Sequence, residues 1–437
     1  MVCLRRFLPS LFCAGLVLAP GATLLPAADP KLDDLLEQNR QLQQQVQSQQ
    51  RQIDELRHRL DSLPAPAPVK AEARPEPEPR APVPVQRSGR EIRLSGEAGL
   101  AYFSSGKLGL FPNSEFRVDD AKIFVEAPVW ENVYFFNGME LVTREGDESF
   151  HVGELYADVE DVLTAGPDRA LNLRVGRFYL PFGEEYQSRN VVDNPLITHS
   201  VADIWGIDEG VQVYGPLGPV TYNLAVQNGG LPALRDFNRD KSVTARLGFA
   251  PTPSLHFSLS GHRTGKLDAA NDGLSAVWFG GLFFRALGPA ATTHTFRASL
   301  VQGDAAWHWK EGHFNAAAGT AWFNDDNPAA DDSRRLHFYS FELVQQLVDR
   351  LYGAARYSDV RAPQGYPLGG LGNAGQYFFN PFGPLTTDLH RLSVGLGWRF
   401  GPPLIWKLEY SWESGRLTTG AQRNDENLLS TELALRF

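Results

Sequence analysis

The sequence predicts an all-β protein: a 16-stranded antiparallel transmembrane β-barrel, with 14 to 18 strands allowed, behind an N-terminal α-helical coiled coil and a Pro-rich linker. Three observations carry that expectation. Residues 89–437 divide into short stretches with apolar side chains at every second position, the period of a strand with two unlike faces. The connections between these stretches alternate strictly between short and long. The final stretch keeps alternating up to a terminal aromatic, Phe437.

Composition is compatible with a barrel whose apolar residues meet lipid and whose polar residues meet water. Aromatic residues make up 11% of the chain, yet mean hydropathy is only −0.27. No stretch beyond the N-terminus approaches 18 consecutive apolar residues, so a membrane-spanning helix is not expected.

Taken in order, the chain opens with Arg5-Arg6, an apolar run from Phe7 to Leu18, and small residues at Ala22 and Ala27-Ala28. This is the layout of a secretory signal peptide over residues 1–28. Cys3 and Cys13, the only cysteines, lie within it, which excludes disulfides and cysteine-ligated metal from the exported chain. Phe12 stands where a lipoprotein signal requires a small residue, which argues against Cys13 as a lipid acceptor.

Residues 29–63 carry a heptad seam. Leu32, Asn39, Val46, Ile53 and Leu60 form one row, and Leu35, Leu42, Gln49, Leu56 and Leu63 the other. β-branched residues at a and mostly Leu at d predict a self-associating periplasmic coil, with Asn39 and Gln49 setting its register. Asn at a favours two strands, so the oligomer number stays open. Residues 64–88 follow with eight prolines between Pro64 and Val85. Proline removes backbone donors and fixes φ, so this is a semi-rigid spacer that could reach roughly 70 Å at ~3.1 Å per residue.

From Gly89 the connections fall into two kinds. Short turns are expected at Ala127-Pro128, Gly166-Pro167-Asp168, Gly215 to Gly218, Pro251-Thr252-Pro253, Lys310-Glu311-Gly312, Val348-Asp349-Arg350 and Gly401-Pro402-Pro403. Longer polar connections lie near 104–114, 143–148, 181–207, 229–239, 265–292, 324–333, 361–386 and 414–425. Seven short turns and eight long loops, interleaved, give sixteen strands with both ends on one side, the plan of a bacterial outer-membrane barrel. Val277 to Leu287 is the weak point, because another strand pair there would give eighteen.

The late strands display the two faces. Leu404, Trp406, Leu408, Tyr410 and Trp412 oppose Ile405, Lys407, Glu409, Ser411 and Glu413, and Leu392, Val394, Leu396, Trp398 and Phe400 oppose Arg391, Ser393 and Arg399. Closure removes the exposed edges that such a sheet would otherwise carry. A loop of some 27 residues runs from Pro181 to Ile207, between the alternating segments Leu171–Val175 and Gly210–Tyr214. It is the third outer loop, expected to turn inward and narrow the pore. The expected constriction residues are Glu184, Glu185, Arg189, Asp193 and Asp203, with Glu184, Glu185 and Asp193 meeting Arg174 or Arg391 across the lumen. Arg174, Arg391, Arg399, Lys407 and Glu409 are the expected lumen wall.

Gly176-Arg177-Phe178-Tyr179-Leu180-Pro181-Phe182-Gly183-Glu184 resembles a strand-exit motif of the phosphate-selective porin O and P family, and Gly210–Gly215 and Ala225–Gly229 resemble the strands that follow it. The resemblance spans roughly residues 89–437 and implies a passive outer-membrane channel that assembles as a homotrimer. The alternating strand ending at Phe437 resembles the signal read by the barrel-assembly machinery. Charge points away from phosphate: of 41 basic and 51 acidic residues, 11 and 10 lie in 1–88, leaving 30 and 41, a net of −11, for the rest. An anion path wants a ring of lumen-facing Arg and Lys, whereas here they interleave with acids, so a general or mildly cation-preferring pore is expected.

Other classes fit less well. No Gly-x-Ser-x-Gly occurs, and His199, His262, His294 and His308 have no distinctive spacing about a serine, so no catalytic residues are assigned. Leu267 follows Gly265-Lys266 where a phosphate-binding loop needs Ser or Thr. Asp325-Asp326-Asn327 with Asp331-Asp332 lacks the glycine and terminal glutamate of a calcium loop, so neither metal nor cofactor is expected. Trp307, Trp309 and Trp322 read as membrane-interface residues in contact with outer-membrane lipid. Net negative charge disfavours nucleic acid. A barrel that merely anchors the envelope, its coil touching the cell wall, is the structural alternative.

Overall fold

The structure, a computed structural model, describes residues 91–143, 150–165, 168–229, 236, 239–268, 293–327, 332–371 and 385–437. The expected signal peptide, coiled coil and linker lie outside the described residues, as does Val277–Leu287. Sixteen long strands form one antiparallel sheet. They are β1 (Arg93–Ser105), β2 (Glu115–Trp130), β3 (Val133–Val142), β4 (His151–Ala165), β5 (Asp168–Tyr179), β6 (Ile207–Leu217), β7 (Val220–Gln227) and β8 (Ser242–Thr252). There follow β9 (Leu255–Arg263), β10 (Thr295–Trp309), β11 (Gly312–Asp325), β12 (Arg334–Val348), β13 (Leu351–Tyr366), β14 (Thr386–Gly401), β15 (Leu404–Leu417) and β16 (Leu428–Arg436). Two-residue strands at Leu267–Asp268 and Gln422–Arg423 add short pairings beside β10 and β15.

Each strand pairs with its neighbours in sequence, and β16 pairs back to β1 from Glu97↔Arg436 to Ser105↔Leu428. Gly96 and Phe437 exchange backbone hydrogen bonds at 2.9 and 3.0 Å, extending that seam to the last residue. The barrel is closed. Because β9 pairs directly with β10, no strand is inserted between them, and the eighteen-strand alternative falls.

Among the described residues, the turns at one rim are two residues long, for instance Gly218-Pro219 between Leu217 and Val220 and Asp349-Arg350 between Val348 and Leu351. Gly218 and Arg350 take positive φ, as tight hairpins demand. One expected turn is misplaced. Ala127-Pro128 continues β2, and the chain reverses at Glu131-Asn132, with Asn132 in the left-handed region. Pro128 is tolerated there because the register shifts between Pro128 and Trp130, a site where a missing ladder donor costs little.

Alternation sets the wall's two faces as expected over β15, where Ile405, Lys407, Glu409, Ser411 and Glu413 are buried inside and Trp406, Leu408 and Trp412 are exposed outside. It is interrupted on β2: Gly99 opposes Asp120 but Leu100 opposes Val118, so Asp119 is an extra residue. This bulge buries Asp119 and Asp120 together. The interior is not uniformly polar. Leu180, Phe182, Val201, Ala202 and Ile204 of the third loop pack on inward-facing Phe296, Leu300, Phe323, Phe338 and Val360, building an apolar core inside the long-loop half of β10–β13.

Candidate pore and the loop seated within it

Residues 180–206 leave β5 and return to β6, and their side of the barrel interior is reached through Gly183. Gly183 has φ +69°, and a Cβ there would come within 2.6 Å of Gln302 Nε2. Its N–H donates to Ser260 Oγ (3.0 Å) and its carbonyl accepts from Arg246 (2.9 Å), tying the loop to β9 and β8. A short 3-10 turn follows at Glu185–Ser188.

The far part of the loop is clamped to β13–β15 by buried polar side chains. Glu409 accepts from the backbone N–H groups of Ile197 and Thr198, the latter at 2.9 Å, and from the Thr198 hydroxyl. Arg356 donates to the Thr198 carbonyl (2.7 Å) and Asn194 Oδ1 (3.0 Å). Arg391 donates to the His199 carbonyl (2.7 Å), and Lys407 to the carbonyls of Val191 and Leu196. Ser358 Oγ receives the Val201 N–H (3.0 Å), and Tyr352 caps the Pro195 carbonyl (2.9 Å). An irregular segment satisfies only part of its backbone from within, as at Asp193 N–H to the Asn190 carbonyl (3.0 Å), and in this interior the wall takes up further groups.

These contacts revise the expected site residue by residue. Glu184 pairs with Arg246 (3.3 Å) and His256 (3.2 Å), not with Arg174 or Arg391. Burial would raise its carboxyl, but His256 and Arg246 outweigh that and hold it below its ordinary value. Glu185 turns back into the loop and accepts from Ser200 N–H (2.9 Å) and Oγ (2.6 Å). Asp193 meets Arg436 at 2.6 Å, and Arg436 also reaches Glu97. Arg189 and Asp203 form an ion pair, with the Arg189 guanidinium 4.4 Å over the Trp205 ring. The reason is register: Arg391 already holds Glu413 (2.7 Å) and Arg174 holds Asp158 (2.7 Å), each a neighbour on the wall.

Of the expected wall residues, Lys407, Glu409 and Arg391 do face inward but are buried beneath the loop, and Lys407 also pairs with Glu432 (2.8 Å). Arg399 stays exposed near the short-turn rim, 4.5 Å over the Tyr352 ring. Arg174 is half-buried between the rings of Tyr156 (4.0 Å) and Tyr214 (5.3 Å). Phe136 stacks on Tyr156 (5.0 Å) and Phe124 on Phe136 (6.0 Å), so an aromatic row braces β2–β6 from within.

The residues missed are the ones opposite the loop. A cavity of about 100 Å³ lies between Arg189, His199 and Trp205 of the loop and Asp120, Lys122, Glu140, His151 and Tyr179 of the wall. Lys122 is 3.1 Å from Asp120 and 3.9 Å from Glu140, and Glu140 is 2.6 Å from His151. Arg246 and Arg356 were legible as polar members of alternating runs, Thr244-Ala245-Arg246 and Ala355-Arg356-Tyr357-Ser358. Asp119 and Asp120 were not, since a bulge leaves no mark in period-two patterning. Among the described residues no cluster of His, Cys, Asp and Glu suited to a metal ion occurs.

Sixteen closed antiparallel strands, two-residue turns at one rim, long loops at the other and one loop seated inside define a porin-type β-barrel fold. Among solved structures, the outer membrane channel DcaP of Acinetobacter baumannii is similar (TM-score 0.52, 12% identity, 79% of this chain and 97% of that one). So is in-vitro folded OmpT, an outer membrane protein of Vibrio cholerae (0.52, 10%, 81% and 100%). The anion-selective porin from Comamonas acidovorans also matches (0.50, 10%, 79% and 98%). At such identities the likeness is one of fold. No protein-family model matches the chain, the porin O and P family included, and no curated protein matches it in sequence.

Proposed function

We propose that the protein is an outer-membrane porin, a passive water-filled channel for small hydrophilic solutes or ions, general or mildly cation-preferring. The observation that carries this reading is the third loop, fixed inside a closed barrel and facing a charged cavity on β2–β5. Short turns then lie on the periplasmic side and long loops outside. Glu184, Arg189 and Asp203 of the loop, with Asp120, Lys122 and Glu140 of the wall, form the constriction. A phosphate-selective ladder is disfavoured because inward cations carry acidic partners: Arg174 with Asp158, Lys122 with Asp120, Arg391 with Glu413. Homotrimeric assembly, recognition of the Phe437 strand by the assembly machinery and a periplasmic coil belong to the same reading.

The test is the reversal potential of refolded protein in a planar bilayer under a potassium chloride gradient. A small cation-leaning potential supports the reading, whereas a strongly anion-selective one with current blocked by phosphate overturns its selectivity. Absence of conductance would promote the envelope-anchor alternative.

A further inference from the structure

Polar residues face inward and apolar ones outward over most of the wall, but the long-loop ends of β10, β12 and β13 reverse this. Leu336 and Phe338 point inward and are buried, while Arg335 and His337 point outward and are exposed. The same holds for inward Phe296 and Ala298 against Arg297, and for inward Val360 and Ala362 against Arg361. Arg263 at the end of β9 and Arg416 at the end of β15 are exposed on the outer face as well.

Register lines these residues up. Arg263 opposes Ser299, Ser299 opposes Trp322, and Trp322 opposes Arg335. Two residues along β12, His337 opposes Arg361, Arg361 opposes Asp388, and Asp388 opposes Arg416. From β9 to β15 the row crosses six inter-strand gaps of ~4.8 Å, about 29 Å in all. The carboxylates in it are few. Asp359 is buried and shared by Arg361 (3.0 Å) and His390 (2.9 Å), and Asp388 lies 3.7 Å from His390. Among the described residues, Arg263, Arg297, Arg335 and Arg416 take part in no salt bridge. At the same end of β1–β4 and β8 the outer face is apolar, with Phe116, Val118, Leu141 and Val243 exposed.

Below the row, toward the short turns, the same strands expose Phe341, Leu343, Tyr357, Leu392, Leu396 and Trp412. A band of guanidinium groups, four of them without an ion pair among the described residues, above an apolar wall complements an amphiphile with an anionic head and acyl chains. Arginine at hydrocarbon depth is costly, while at headgroup level its planar fork matches phosphate oxygens.

We propose that this arginine belt docks the phosphorylated headgroups of lipids in the outer leaflet, confining that contact to the β9–β15 sector. The proposal rests on the barrel spanning the outer membrane with its long loops outward. Native mass spectrometry of the intact refolded protein tests it, with diphosphorylated lipid A and the same lipid stripped of phosphate as probes. The wild type should retain the phosphorylated form at least about tenfold better. The variant R263Q/R297Q/R335Q/R416Q removes only guanidinium groups without ion pairs among the described residues, and should lose that preference while its conductance stays at the wild-type level. Equal retention of both lipids by a wild-type protein that inserts and conducts overturns the belt and leaves the channel standing, and this comparison needs no variant. Unchanged preference in a conducting variant overturns it too. Failure of the wild type to insert overturns both readings.

Discussion

Replacing Glu409 by alanine removes one carboxylate from the seat of the third loop. In the wild type that carboxylate is 1% exposed and accepts from the Ile197 and Thr198 N–H groups, the Thr198 hydroxyl and Ser411 Oγ. Truncation leaves two buried backbone donors without their acceptor, at ~1–3 kcal/mol each, so the loop's hold weakens by about 4 kcal/mol. Arg356, Arg391 and Lys407 still grip the neighbouring carbonyls, so the barrel itself should fold. Amide hydrogen exchange reads the effect directly. Protection at Ile197 and Thr198 should fall on the order of a thousandfold, since each ~1.4 kcal/mol is a factor of ten. Strand amides of β1–β4 should keep theirs, and open-channel current noise should rise. Glu409→Gln keeps one acceptor oxygen and loses charge assistance, so its loss should be nearer tenfold. Wild-type protection at these two amides in Glu409→Ala would refute the claim that this carboxylate seats the loop.

Three further outcomes follow from the same geometry. Arg174→Met leaves Asp158 with only the Tyr214 hydroxyl among its two ligating side chains, so the reversal potential should move toward cations. A shift toward anions would count against Arg174 as a lumen charge. Gly176→Ala forces a residue with φ +136° and places a Cβ 2.3 Å from the Leu155 carbonyl, both beyond easy relief. The temperature at which the folded band disappears, read on gels of samples heated stepwise beforehand, should fall sharply, and an unchanged transition would contradict the backbone described at the β4–β5 ladder. Because the Glu184 carboxyl is held below its ordinary value, its grip on Arg246 and His256 is fully present above the ordinary glutamate range, near pH 4.3, and is lost as pH falls through the lowered value. Loop-related current noise should therefore rise only in strong acid, and Glu184→Gln should remove that acid limb.

Much of the barrel was written in period-two alternation, because a wall with lipid on one side and polar groups on the other imposes it strand by strand. β14, β15 and β16 could be drawn from their sequences alone, face included. Ala127-Pro128 misled because Gly and Pro mark turns only statistically, and a proline beside a register shift can sit in a strand. The upper halves of β10–β13 could not be oriented from sequence for a deeper reason. There the apolar face turns toward a loop core rather than lipid, and alternation reports that two faces differ without saying which is inside. For the loop, its length and inward course were legible, but not its partners. Arg391 and Arg174 were occupied by Glu413 and Asp158, a fact fixed by register between strands. The long-range choice of Arg246 for Glu184 and Arg436 for Asp193 has no local trace.

The seat of the third loop also orders events in time. Its clamps join residues far apart along the chain: Thr198 to Arg356 across 158 positions, Ile197 to Glu409 across 212, Asp193 to Arg436 across 243. A chain emerging from its N-terminal side makes the loop long before it makes the strands that hold it. Local hairpins such as β6–β7 can form as soon as they are made, and the start of the loop can meet β8 and β9 early, but residues 190–200 have no docking surface until β13–β16 exist. Settling of the loop thus reports completion of the wall, and a barrel caught short of its last four strands would carry residues 190–200 unfastened.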